Sequence, residues 1–94
     1  MEIICTKYTS IPFATFLGFA DFYLPEKGIE ILSCTLHKKD ERRWLNLPSK
    51  SYMDGKEEKF RPIIKFKDPK EFREFCLLGK KEIDKLTEKV VDVG

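Results

Sequence analysis

A single histidine, His37, and no serine, cysteine or threonine with a glycine beside it leave the chain without the parts of a nucleophilic triad. No glycine-rich segment is spaced to cradle a phosphate. Carboxylate pairs such as Glu57-Glu58 fall in a charged loop, where solvation accounts for them. An enzyme is not expected. Cysteine is scarce: Cys5, Cys34 and Cys76 are odd in number and far apart, which suits buried free thiols in a reducing cytosol rather than a disulfide framework. Cys34-x-x-His37 looks like half a metal site, but residues three apart on a strand point to opposite faces. No second ligand pair stands near it with zinc-like spacing. No metal or other cofactor is expected. The longest apolar-rich stretch free of charge, Ile11 to Ala20, is half the length of a membrane span, and no cleavable signal pattern is present. The expectation is a soluble cytoplasmic protein with no membrane contact and no small-molecule substrate. Without repeats, linkers or low-complexity segments, residues 1–94 read as a single domain.

Apolar residues, by contrast, make up 41% of the chain and aromatics 13%, enough for a folded core. A domain of 94 residues lies near the lower end of what buries its own core, and such domains often complete it as homodimers. The formal net charge of +2 conceals an asymmetry. Residues 1–36 hold two Lys against four acids, residues 37–67 ten Lys and Arg against five, and residues 68–94 six against seven. Local field in the middle of the chain, rather than overall charge, bears on the partner.

The pattern predicts an α+β domain, an antiparallel four- to five-stranded sheet followed by a C-terminal helix. Met1 to Tyr8 reads as a short leading strand that Thr9-Ser10-Ile11-Pro12 breaks. Phe13 to Leu24 reads as one long strand with Gly18 at a bend or bulge. Pro25-Glu26-Lys27-Gly28 is a hairpin turn in which Gly28 supplies a positive φ. The next strand, Gly28 to Lys38, is expected to turn Leu32, Cys34 and Leu36 inward and Ser33, Thr35 and His37 outward. Lys39-Asp40-Glu41 leads into a strand over Arg42–Leu47, and a loop from Pro48 to Glu58 leads into the last, Lys59–Phe66. Asp68 as N-cap, Pro69 at the first helical position and Glu71 completing a capping box start the helix. Phe72, Phe75, Cys76, Ile83 and Leu86 follow at helical spacing, to cover the sheet or a second copy of the chain. Gly79 is placed to kink or divide this helix. Asp21, inside an apolar strand, is expected on the polar side near a cation or at a strand end.

Two segments carry the functional expectation. Alternation puts Arg42, Trp44 and Asn46 of one strand on the same face as Lys59, Arg61, Ile63 and Lys65 of the other. The opposite face takes Leu45, Leu47, Phe60, Ile64 and Phe66, with Arg43 as an outlier. Cations neutralise phosphates and release counterions, and an indole offers a base a stacking surface. Lys50 and Lys56 in the loop extend the surface. The bland alternative is that Trp44 packs under the helix or a partner while the cations are merely solvated.

Pro48-Ser49-Lys50, Asp54-Gly55 and Pro62-Ile63 resemble the SpoVG family, the stage V sporulation and septation regulators. In that family a hydrophobic strand ends in Pro-Ser-Lys/Arg, an Asp-Gly turn follows about six residues on, and a Pro-Ile/Leu pair opens the next segment. The order of elements is similar over roughly residues 13 to 88. The resemblance implies a small dimeric DNA- or RNA-binding regulator, with Lys50 as a nucleic-acid contact and Pro48 and Gly55 shaping the loop. A looser likeness of plan extends to the positive-cofactor-four-like and Whirly-like single-strand binders, at the level of fold. The expectation is a homodimeric protein that binds nucleic acid, single strands slightly favoured, through Arg42, Trp44, Lys50, Lys59, Arg61 and Lys65. Its rival is a protein-interaction module or accessory factor whose exposed aromatics dock a protein.

Overall fold

The structure is a computed structural model that describes the backbone of residues 1–91 and the side chains of residues 1–87. Six strands precede one helix: β1 (Ile4–Phe13), β2 (Phe16–Leu24), β3 (Ile29–Lys39), β4 (Arg42–Asn46), β5 (Ser49–Asp54), β6 (Glu57–Pro62) and α1 (Pro69–Val91). The fold is α+β, with a four-stranded antiparallel sheet in the order β1-β2-β3-β4 and a separate two-stranded hairpin, β5-β6. No described helix is long and apolar enough to cross a membrane.

α1 lies across one face of the four-stranded sheet and closes the core there. Phe22, Leu24, Ile31, Cys34, Leu36 and Leu45 from the strands are buried against Phe75 and Ile83 of the helix. Phe22 and Phe75 meet edge to face with ring centroids 5.3 Å apart. Burying each such side chain contributes on the order of 1.5–3 kcal/mol. The start of the helix follows the sequence chemistry: Asp68 Oδ1 accepts the Lys70 N–H at 2.9 Å and the Asp68 carbonyl accepts the Phe72 N–H at 3.1 Å. Gly79 neither kinks nor divides the helix, which runs unbroken through it. It sits where the helix packs tightly on the sheet: a Cβ there would lie 2.7 Å from Leu45 Cδ1 and 3.2 Å from Phe22 Cζ. The glycine serves close packing, not flexibility.

Several boundaries differ from the sequence reading. β1 continues through Thr9, Ser10 and Pro12. It is an edge strand, where proline need not donate to a ladder, so Pro12 is tolerated. The expected long strand from Phe13 is instead split by a turn at Ala14-Thr15, with Ala14 at φ 55°. The irregularity at Gly18 is present: Leu17 is an extra residue between the Phe16–His37 and Gly18–Leu36 pairs. The turn at Gly28 (φ 65°) is also as read.

Leu32 faces outward, 51% exposed, and Ile31 takes the inward place. The cause is a bulge in which Leu32 and Ser33 oppose the single residue Asp21 between the Ala20–Cys34 and Phe22–Ile31 pairs. Ser33 adopts φ 60° there and its N–H donates to Asp21 Oδ1 at 2.9 Å. Asp21 therefore holds the bulge, and its partner across β1 and β2 is a cation, Lys7, as expected of it.

The segment read as a loop, Pro48 to Glu58, contains β5, and the last strand ends at Pro62 rather than Phe66. Every residue of β5 and β6 is exposed, so the hairpin stands off the sheet. Gly55 (φ 66°) turns its tip, and the Ile63 N–H donates to the Pro48 carbonyl at 3.1 Å to close its base. The molecule is accordingly long, 49 × 32 × 21 Å.

Candidate nucleic-acid interface

The face of the sheet turned away from α1 carries a row of rings. Pairing across the strands brings Phe13 opposite Phe16, Phe16 opposite His37 and His37 opposite Trp44, so one ring from each of the four strands stands in line. The Phe16 and His37 centroids are 5.6 Å apart, and His37 and Trp44 lie stacked at 5.5 Å with planes 11° apart. Phe19, one row along, meets Phe16 edge to face at 4.9 Å. Such pairs favour offset or edge contacts because the ring quadrupoles repel face on. His37 is held on another side as well, with Nε2 3.0 Å from Thr35 Oγ1. Trp44 is 36% exposed and Phe13 79% exposed, on a face with no helix over it. Trp44 does not pack under the helix.

β4 is divided between the two faces as its alternation requires. Arg42, Trp44 and Asn46 are exposed, Leu45 is buried, and Arg43 points to the helix side. There the Arg43 guanidinium donates from both terminal nitrogens to the two Asp84 oxygens at 2.9 Å. This bidentate pair holds the Asp84 carboxyl below its ordinary value and raises the guanidinium, burial opposing it in each case. Arg43 is a structural cation tying β4 to α1, not part of the open face.

Of the six residues expected to form one surface, Arg42 and Trp44 share the open sheet face. Lys39 pairs with Arg42 across β3 and β4, and the two line a cleft with Asp40 and Trp44. The other four residues do not continue that surface on a neighbouring strand, because β6 pairs with β5 and not with β4. Lys50 and Arg61 stand directly opposite each other on the hairpin, next to the Tyr52–Lys59 pair, and all four share one side of it. Lys59 is engaged: its Nζ lies 2.8 Å from Asp54 Oδ2. Lys65 lies beyond β6, outside any strand. Phe60, read as core, is 66% exposed, because no sheet or helix covers the hairpin's other side. Ile64 and Phe66 are half-buried against the core, as read.

A groove of about 580 Å³ separates sheet and hairpin base. Thr35, His37 and Asn46 line it from the sheet, Phe60 and Pro62 from the hairpin, and Lys65 from the connection to the helix. Phe60 and Pro62 also line a second hollow with Lys50, Tyr52 and Arg61.

Phe13, Phe16, Phe19 and Lys39 did not emerge from the sequence as site residues. The three phenylalanines are three apart, a spacing that alternates faces on a regular strand. The Ala14-Thr15 turn and the extra residue Leu17 bring all three to one face. A concentration of aromatics between residues 13 and 23 was the only signal available.

Cys34 and His37 do point to opposite faces, Cys34 into the core and His37 onto the ring row. Burial pushes the Cys34 thiol up to about 12 and raises Cys5 and Cys76 as well. No cysteine is paired in a disulfide. No family model, no curated protein and no solved structure matches this chain.

Proposed function

We propose that this protein binds single-stranded nucleic acid, with bases stacked along the helix-free face of the sheet and phosphates held by cations around it. The observation that carries the reading is the four-ring row Phe13, Phe16, His37 and Trp44 on an uncovered face. Stacking on aromatic side chains contributes about 1–3 kcal/mol per base and tolerates any base. Arg42 and Lys39 flank the row at the Trp44 end. Lys65 lines the groove at the hairpin base, and Lys50 and Arg61 add a separate positive patch on the hairpin. The SpoVG resemblance supports the same class of ligand, since its motif residues Pro48, Asp54, Gly55 and Pro62 are those that build the hairpin. A regulator of that kind, without catalytic activity and acting in the cytoplasm, is the role proposed; the unpaired thiols suit that compartment.

The test is a titration of Trp44 fluorescence with short labelled oligonucleotides at several salt concentrations. Quenching with micromolar or tighter affinity at low salt is expected. The affinity should fall with salt at a slope of about −0.7 per phosphate contact, so roughly −3.5 for the five cations named. Absence of binding at low salt overturns the reading.

A second reading is a protein-docking module or accessory factor without direct nucleic-acid binding. Met53 and Ile63 are each about two-thirds exposed, more than a solvated hairpin requires. The same titration separates the two: a Trp44 unresponsive to oligonucleotide favours docking.

A further inference from the structure

We infer that the groove between the sheet and the hairpin base is a pocket for one unstacked nucleobase, with Asn46 reading the polar edge of that base. The inference rests on the single-strand reading and deepens it, because stacking along the ring row carries no base preference of its own. Four features of the groove point to a base as its occupant.

The first is size. The open groove, about 580 Å³, has room for one base with its sugar and lies in the range of small-ligand sites, roughly 300–1,000 Å³. The second is position. Thr35 and Asn46 pair directly across β3 and β4, as do His37 and Trp44, two residues along each strand. The Thr35–Asn46 pair thus lies beside the ring row, about 7 Å along the strands, within reach of a base turned sideways out of a strand laid on the rings. The third is wall chemistry. Phe60 and Pro62 offer flat apolar surface on the hairpin side, against which an unstacked ring recovers the contact it loses on leaving its neighbours. The fourth is charge: Lys65 lines the groove, and Lys50 and Arg61 lie on the far side of the Phe60–Pro62 wall. The polyanionic backbone entering and leaving the groove meets a cation on each side.

Asn46 is the residue suited to read the base. Its amide presents a donor and an acceptor side by side, the pattern that pairs bidentately with a base edge. Its side chain is exposed and, among the described residues, makes no hydrogen bond within the protein, so both groups of the amide are available. Thr35 is already engaged with His37. Asn46 is a specificity residue in this scheme, and the ring row supplies most of the affinity.

The experiment compares labelled twelve-nucleotide thymidine oligonucleotides carrying one central dA, dC, dG or dT against the wild-type protein and Asn46→Ala. The wild type is expected to favour one central base by about 5-fold or more over the least favoured, the discrimination that one bidentate contact supplies. Asn46→Ala should bring that ratio below about 2-fold. Phe60→Ala should weaken all four strands. Equal affinity for the four strands in the wild type, or an unchanged preference in Asn46→Ala, overturns the inference and leaves the single-strand reading standing. Failure of every strand to bind overturns both.

Discussion

Lys50 and Arg61 stand directly opposite each other across the β5-β6 hairpin. Like charges in that position oppose pairing by a few tenths to about 1 kcal/mol unless an anion lies between them. In the free protein they are a local strain; on the proposed reading a phosphate is what the two cations would clasp from either side. Lys50→Ala should leave thermal stability unchanged or raise it slightly, by up to about 0.5 kcal/mol. The same change should lower oligonucleotide affinity and reduce the magnitude of the salt slope by about 0.7. A melting curve paired with salt-dependent titrations checks both halves; loss of stability without change in binding contradicts the assignment.

Trp44 rests on His37 rather than in the core, so its removal should separate binding from folding. Trp44→Ala is expected to weaken single-strand binding by about 1–3 kcal/mol. Its cost in stability should stay near 1 kcal/mol, the value of one exposed aromatic pair. Phe75→Ala is the contrasting case. That ring is fully buried, and its loss should cost about 3–5 kcal/mol in urea unfolding.

Gly79 should resist substitution although alanine is the better helix former. The gain in helix propensity is about 1 kcal/mol. Against it, a new Cβ lands 2.7 Å from Leu45 Cδ1, in a core where Leu45 and Phe22 are both buried. Overpacking of that kind costs about 1–3 kcal/mol. Gly79→Ala is therefore expected to destabilise by roughly 1 kcal/mol in chemical denaturation, and Gly79→Val by more. A Gly79→Ala variant more stable than wild type would show that the helix can move off the sheet without loss.

The Arg43–Asp84 pair gives stability a dependence on acid. The Asp84 carboxyl is held below its ordinary value in the folded protein, chiefly by the guanidinium hydrogen bonds. Its stabilising contribution is thus fully present above the unfolded-state carboxylate value and is lost as pH falls through the folded one. Both side chains are partly solvated, so a double-mutant cycle at pH 7 should give a coupling of only about 0.5–1 kcal/mol. The difference between wild type and Asp84→Asn should be visible in urea melts at pH 7 and close towards pH 3. A difference that grows on acidification contradicts the geometry.

Thiol chemistry offers a check on the core. With the Cys34 thiol at about 12, only about one molecule in ten thousand carries its thiolate at pH 8. Alkylation of Cys34 and Cys5 should be negligible in the native state and complete in denaturant, by mass spectrometry.

Much of the local structure was written in neighbouring residues. β4 could be divided into faces from alternation alone, since Leu45 is the one aliphatic residue between Trp44 and Asn46 and a strand has period two. The helix start was legible because Asp68-Pro69 satisfies orphan donors through adjacent atoms. Gly28 was legible because a positive φ is a property of one residue. Leu32 was misread for the complementary reason: its face depends on a bulge that Asp21 holds in place through Ser33, twelve residues away. Pro12 was read as a break because nothing nearby says that β1 is an edge strand.

The site divides along the same line. Arg42 and Trp44 were visible as an outward pair, being set by the pleat of a single strand. Lys50, Lys59 and Arg61 were legible as a basic cluster, but their place on a separate hairpin was not. Which strand pairs with which depends on hydrogen bonds and contacts between distant segments, and alternation within each is compatible with more than one partner. The alignment of Phe13, Phe16 and Phe19 with His37 and Trp44 arises from a turn and an extra residue that change face mid-segment. Short-range chemistry thus specified pleat, turns and cap, whereas the ring row and the groove exist only because pairing between remote strands brings their residues to one surface.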